Sequence, residues 1–119
     1  MAYEIEYTDR FEEWWETLSE DDQIDVEARV KHLMDAGPAA RRPLVGEIVN
    51  SRNDPRMKEL ICGSLRVLFI FDPRSVAILL VGGDKSEGQV WNDWYQTAIP
   101  EADSLYEEHL RELADETSD

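Results

Sequence analysis

The sequence predicts an α+β domain: an N-terminal helical hairpin packed on a small antiparallel β-sheet, with a C-terminal helical segment. Three observations predict it. Met57–Lys85 is the only long strand-type run, and Cys62-Gly63-Ser64, Asp72-Pro73-Arg74-Ser75 and Gly82-Gly83 divide it. The chain before it carries apolar residues at helical spacing, and so does the chain after it. The 119 residues make one domain (1–119), with a strand and helical hairpin over 1–37, the sheet over 44–85 and helices over 89–113.

The first element is a half-buried strand, because Tyr3-Glu4-Ile5-Glu6-Tyr7 alternates apolar and acidic side chains. Thr8 or Asp9 then caps a helix whose stripe is Phe11, Trp14, Trp15 and Leu18. The paired tryptophans are expected to anchor that helix to the sheet. Ser19, with Asp22 three residues on, opens a second helix carrying Val26, Val30, Leu33 and Met34. It stops at Gly37-Pro38, a C-terminal glycine followed by a breaker. The short link between the helices predicts an antiparallel hairpin, with His32 at its boundary.

Ala39–Pro43 is expected as a loop, Leu44–Val49 as a short strand, and Asn50–Pro55 as a mobile turn region. Strands follow over Met57–Ile61, Leu65–Phe71 and Val76–Val81. Gln89–Ile99 reads as a helix packed through Val90, Trp91, Trp94 and Tyr95. Pro100 starts or kinks a second one, with a stripe of Ala102, Leu105, Tyr106, Leu110 and Leu113. His109 is expected to face solvent and Ala114–Asp119 to fray.

Charge is unevenly spread. Residues 1–36 are net −9, residues 37–86 net +3, and residues 87–119 net −9, for a total of −15. An average this acidic opposes binding to free nucleic acid, yet the cationic middle is suited to an anion. A lone cysteine, Cys62, provides no disulfide framework and fits a reducing compartment. No apolar run reaches membrane-spanning length, and MAYEIEYTDR lacks the order of a signal peptide, so a cytoplasmic chain is expected.

Register decides which cations meet. A four-residue turn at Asp72–Ser75 pairs Phe71 with Val76 and Arg66 with Val81. Leu65, Val67, Phe69, Phe71, Val76, Ile78 and Leu80 then share the face that takes the helical hairpin. Leu68, Ile70, Ala77, Leu79 and Val81 share the other with Arg66, and Lys85 joins them if the strand runs through the glycines. A three-residue turn at Cys62–Ser64 adds Lys58 to Arg66's face, whereas a two-residue turn brings Glu59 there instead.

The ordered segments MKEL, LRVLFIFDPR, AILLVGGDK and WNDWYQTAIPEADSLYEEHL, with the acidic FEEWWETLSEDDQ opening, resemble the HigB branch of the RelE/ParE toxin superfamily. The resemblance implies a RelE-like fold and a ribosome-dependent mRNA endonuclease, an mRNA interferase that inhibits translation. It also implies a small helix-turn-helix antitoxin as partner, and the ribosome with bound mRNA as target. Departures fall at Ile61, where similar proteins often carry a basic residue, and at the short 62–64 connection.

Such cleavage moves the ribose 2′-hydroxyl onto the adjacent phosphate. It needs a base, an acid for the leaving 5′-oxygen, and cations for the phosphoryl charge. The cationic region has no histidine, and no zinc-type spacing or Walker-type loop is present. Lysine and arginine chemistry is then expected, without metal or cofactor. Arg66 clamps the scissile phosphate, Lys58 stabilises the transition state or acts as base, and Lys85 serves a neighbouring phosphate or the leaving oxygen. Arg41, Arg42, Arg52, Arg56 and Arg74 guide the RNA. No direct DNA binding by this chain is expected. Two alternatives remain open: a ParE-like, non-hydrolytic gyrase inhibitor, and a decayed toxin that only binds antitoxin.

Overall fold

The computed structural model describes residues 2–86 and 93–117. Residues 87–92 lie outside it, with the expected start of the C-terminal helix and the packing assigned to Val90 and Trp91. The elements run β1 (Ile5–Tyr7), α1 (Asp9–Thr17), α2 (Glu20–Ala36), β2 (Val45–Glu47), β3 (Lys58–Cys62), β4 (Leu65–Phe71), β5 (Ala77–Asp84) and α3 (Asp93–Thr117). The five strands form one sheet in the order β1-β5-β4-β3-β2. All neighbours are antiparallel except β1, which joins the β5 edge in parallel.

Both helix starts follow from their caps. Thr8 Oγ1 accepts from the N–H of Phe11 at 3.0 Å, and Ser19 Oγ from that of Asp22 at 3.1 Å. Gly37 ends α2 at φ 61, a conformation a side chain would oppose, and its missing Cβ makes room for the Tyr3 ring.

The sheet is covered on both faces. On one side Phe11 of α1 and Val26 and Leu33 of α2 pack on Leu60, Val67, Phe69 and Leu79. On the other, Ala98, Ile99, Ala102 and Tyr106 of α3 pack on Leu68, Ile70, Ile78 and Leu80. Each buried Leu, Ile or Phe contributes about 1.5–3 kcal/mol, so the two layers hold the sheet from both sides. The C-terminal segment is one helix rather than two, with Pro100 inside it. Pro100 and Gln96, the residue whose carbonyl loses its helical partner to the proline, are both exposed. Among the described residues, no helix is long and apolar enough to cross a membrane.

The β4–β5 register differs from expectation by one residue. The Asp72–Ser75 turn forms, with Ser75 N donating to Asp72 O at 2.8 Å. Ser75 then adds a residue at φ 65, and Asp72 N donates to Val76 O at 2.8 Å. That is a three-residue hairpin loop ending in a left-handed residue, so Phe71 pairs with Ala77, not Val76. A bulge beside Leu68 and Phe69 shifts the register again, and Arg66 pairs with Gly83, not Val81. Val76, Ile78 and Leu80 consequently pack with α3, while Ala77 and Leu79 pack with the hairpin helices.

The glycines neither end nor break β5, which continues to Asp84. A Cβ at Gly82 would strike the Trp14 ring, and one at Gly83 the Trp94 ring. Each glycine seats one indole, on opposite faces of the sheet. The Asn50–Pro55 region is tied to α3 through Asp103. That buried carboxylate accepts from Ser51 Oγ at 2.5 Å, Asn53 Nδ2 at 2.7 Å and Arg52 N at 2.9 Å.

Candidate active site

Gly63 and Ser64 alone connect β3 to β4, with Gly63 at φ 61 in the first loop position. This two-residue turn pairs Ile61 with Arg66, Glu59 with Leu68 and Lys58 with Phe69. Glu59 therefore shares Arg66's face, and Lys58 lies on the opposite one. The expected convergence of Lys58 with Arg66 does not occur, because one residue fewer in the turn inverts every side chain of β3 relative to β4.

Arg66 and Glu59 form a buried ion pair. Arg66 Nε lies 2.8 Å from Glu59 Oε1, and the two side chains are 7% and 10% exposed. The contact lacks hydrogen-bond alignment at Nε. Nη1 donates to the carbonyls of Gly63 at 2.6 Å and Leu65 at 2.9 Å, which fixes the guanidinium plane. Tyr95 Oη donates to the same Glu59 Oε1 at 2.8 Å. Burial first, then the Glu59 carboxylate, push the Tyr95 phenol up to about 12, so it keeps its proton at neutral pH.

Arg42 approaches this group from the sheet edge. Gly46 pairs with Glu59 across β2 and β3. The place a Gly46 Cβ would take lies 3.3 Å from Arg42 Nη2 and 3.4 Å from Glu59 Cγ. Around the β2 edge, Arg41, Arg42 and Lys58 line a groove of about 770 Å³ together with Glu47. Lys58 Nζ donates weakly to Pro38 O at 3.4 Å. Lys85 follows β5 directly, and its N–H donates to Ser64 O at 3.0 Å, at the sheet end where Arg66 lies. Beside it, hydrogen bonds led by the Ser86 hydroxyl hold the Asp84 carboxyl below its ordinary range, against a smaller effect of burial.

The other predicted cations separate from this site. Arg52 makes a two-pronged ion pair to Glu107, at 2.8 and 3.2 Å. Arg74 is held by Glu6 at 2.9 Å and Asp72 at 2.7 Å. Arg56 is exposed as the last residue of the 52–56 turn, its N–H donating to Asn53 O at 2.7 Å. His109 does not face solvent: its Nε2 lies 2.9 Å from Asp72 Oδ2. Burial alone would raise the Asp72 carboxyl. Hydrogen bonds from His109, from Arg74 and from the backbone N–H groups of Val76 and Arg74 outweigh it and hold the group below its ordinary value.

Comparison with known proteins connects this chain to a family. The model of the Phage derived protein Gp49-like family matches residues 13–107. The chain belongs to that family. Two Mycobacterium tuberculosis proteins named as toxins are similar to it. One, HigB3, is 41% identical over 101 residues, covering 83% of this chain and 86% of its own length. The other, HigB2, is 38% identical over 112 residues, or 90% of this chain, and the chain spans about half (54%) of its length. Within the Gp49-like family the kinship is thus to the HigB type. Two structures of the E. coli RelE toxin share the fold. The free toxin carrying two arginine-to-alanine substitutions superposes with TM-score 0.59 at 14% identity, over 84% of this chain and 97% of that one. The isolated toxin gives TM-score 0.60 at 12% identity, over 80% and 97%.

The sequence points to Arg66 and leaves Glu59 open beside it, while Tyr95 carries no polar signal. Glu59 was visible as the outcome of a two-residue turn, for which a Gly-Ser pair with glycine first was the available signal. By sequence Tyr95 is expected only to pack. Its hydroxyl reaches Glu59 because the adjacent Trp94 occupies the Gly83 seat.

Proposed function

We propose that this chain is the toxin of a toxin–antitoxin pair, and that it cleaves mRNA on the ribosome without metal. The observation that carries the reading is the Arg66–Glu59 pair, a fixed cation and carboxylate in a HigB-type member of the family. Glu59 takes the proton of the 2′-hydroxyl. Arg66 and Tyr95 both contact its Oε1, which directs proton transfer to Oε2. Arg66, oriented by the Gly63 and Leu65 carbonyls, stabilises charge on the phosphoryl oxygens. Lys85 serves the leaving 5′-oxygen. Arg41, Arg42 and Lys58 hold flanking phosphates in the groove at the β2 edge.

A net charge of −15 repels free RNA. The ribosome supplies orientation and most of the binding, leaving the protein a local cationic groove. The neutralising partner is a small antitoxin. Burial of both Arg66 and Glu59 favours one rival, a binding protein in which the pair is purely structural. Induced expression without the partner, with mRNA 5′ ends mapped by primer extension, separates the two. Cuts phased to the reading frame and lost in Glu59→Gln support the nuclease. Intact mRNA in cells expressing folded wild-type protein rejects it.

A further inference from the structure

The two adjacent tryptophans of α1 have different roles. Trp14 is seated on Gly82. Trp15, half-buried like Trp14, lines a groove of about 610 Å³ between α1, α2 and the β1 edge. The groove floor is apolar, from Ile5, Phe11, Val30 and Leu79. Its rim is anionic: Glu12 and Glu16 on α1 and Glu27 on α2 are all exposed. Gln23 Nε2 donates to Trp15 O at 2.9 Å and holds one end of the two helices together. Tyr7, at the open strand edge, is 58% exposed, far more than its size and aromatic character favour.

We propose that this groove docks an amphipathic helix from a partner protein, one that presents large aliphatic side chains between flanking Lys or Arg residues. The charge pattern selects that occupant. An anionic rim repels nucleic acid, and it repels a second copy of this chain, whose net charge is −15. An apolar floor between two helices accepts side chains spaced at i, i+3, i+4 and i+7. Glu27 lies 3.8 Å from Lys31, an exposed pair that an incoming cation displaces at little cost. The groove opens on the hairpin face of the sheet, whereas Arg66 and Glu59 lie on the α3 face. A helix bound there leaves the candidate active site uncovered.

The partner's identity as the antitoxin rests on the toxin reading, but the test uses neither cleavage nor growth, so the two fail separately. The whole chain is titrated at moderate salt with a synthetic peptide of about 18 residues, roughly five helical turns. The peptide carries Leu at i, i+3, i+4 and i+7 with Lys on its flanks. A peptide of the same composition, scrambled to remove the stripe, serves as control, and indole fluorescence reports binding. The striped peptide is expected to bind saturably and about tenfold or more tighter than the scrambled one. Reversing the exposed rim with Glu12→Lys and Glu16→Lys weakens it by a similar factor while far-UV circular dichroism stays unchanged. Equal binding of both peptides, or unchanged affinity of the charge-reversed chain, overturns the proposal. So does a dimer of the chain alone that Trp15→Ala dissociates.

Discussion

Arg66 and Glu59 face each other on adjacent strands, Nε to Oε1 at 2.8 Å, while Lys58, one residue from Glu59, lies on the other side of the sheet. Glu59→Gln keeps shape and volume but removes the proposed base, and under the proposed function it is expected to lower ribosome-dependent cleavage by roughly two or more powers of ten. Lys58→Ala removes only a groove contact, and its loss should stay within roughly tenfold. Cleavage rates from primer extension rank the two. A larger loss in Lys58→Ala would return the site to the lysine. Arg66→Ala is a poorer probe, since it strands a buried carboxylate at a cost of about 3–5 kcal/mol and confuses folding with catalysis.

The two glycines of β5 make a packing prediction. A Cβ at Gly82 has no space beside the Trp14 ring, and one at Gly83 none beside the Trp94 ring. Forcing either apart is expected to cost about 1–3 kcal/mol, read as a lower urea midpoint with unchanged slope. The effects differ in kind. Gly82→Ala displaces α1, on the hairpin face. Gly83→Ala displaces the start of α3 and should also impair cleavage, because Tyr95 holds Glu59 from there.

The sequence revealed elements better than it revealed registers, and the residues show why. Thr8, Ser19 and Gly37 act within one turn of themselves, and the structure uses each of them as expected. Lys58 was misplaced because facing depends on a single count, two or three residues between strands, and apolar alternation fits either. The β4–β5 slip has the same origin. Asp72-Pro73 marked the turn, but nothing local required Ser75 to adopt φ 65. Gly82-Gly83 looked like a strand end because the indoles that need them come from α1 and α3. Arg52 appeared free because its partner Glu107 lies 55 residues away in sequence, and Arg74 because Asp72, two residues away, was already accounted for by the turn and its other partner, Glu6, is 68 residues distant.

Asp72 gives a prediction about pH. Its side chain is fully buried, and its folded pKa lies below the ordinary 3.8. A depressed carboxylate contributes stability that is fully present above its unfolded pKa and is lost as pH falls through the folded one. Compared on a His109→Gln background, so that no imidazole titrates beside the carboxylate, the stability difference between Asp72 and Asp72→Asn should therefore be constant from neutral pH down to about 5. It should shrink only below 3.8. Urea unfolding at stepped pH measures it. A gap that closes between pH 7 and 5 would assign the linkage to another group.

Asp103 makes the last test, of the link between the 50–55 loop and α3. Its carboxylate is 1% exposed and accepts from Ser51, Arg52 and Asn53. Asp103→Ala leaves the Ser51 hydroxyl buried without its acceptor and opens a small void, a combined cost of about 2–4 kcal/mol. The loop rather than the sheet should respond. Amide hydrogen exchange is expected to quicken at Arg52 and Asn53, which lose or loosen their hydrogen bonds, while β4 keeps its protection. Arg52 retains Glu107 and Ser104 on the same helix. Adding Glu107→Ala to Asp103→Ala should release the loop further, and a double variant no faster in exchange than the single one would show that Arg52 contributes nothing to the attachment.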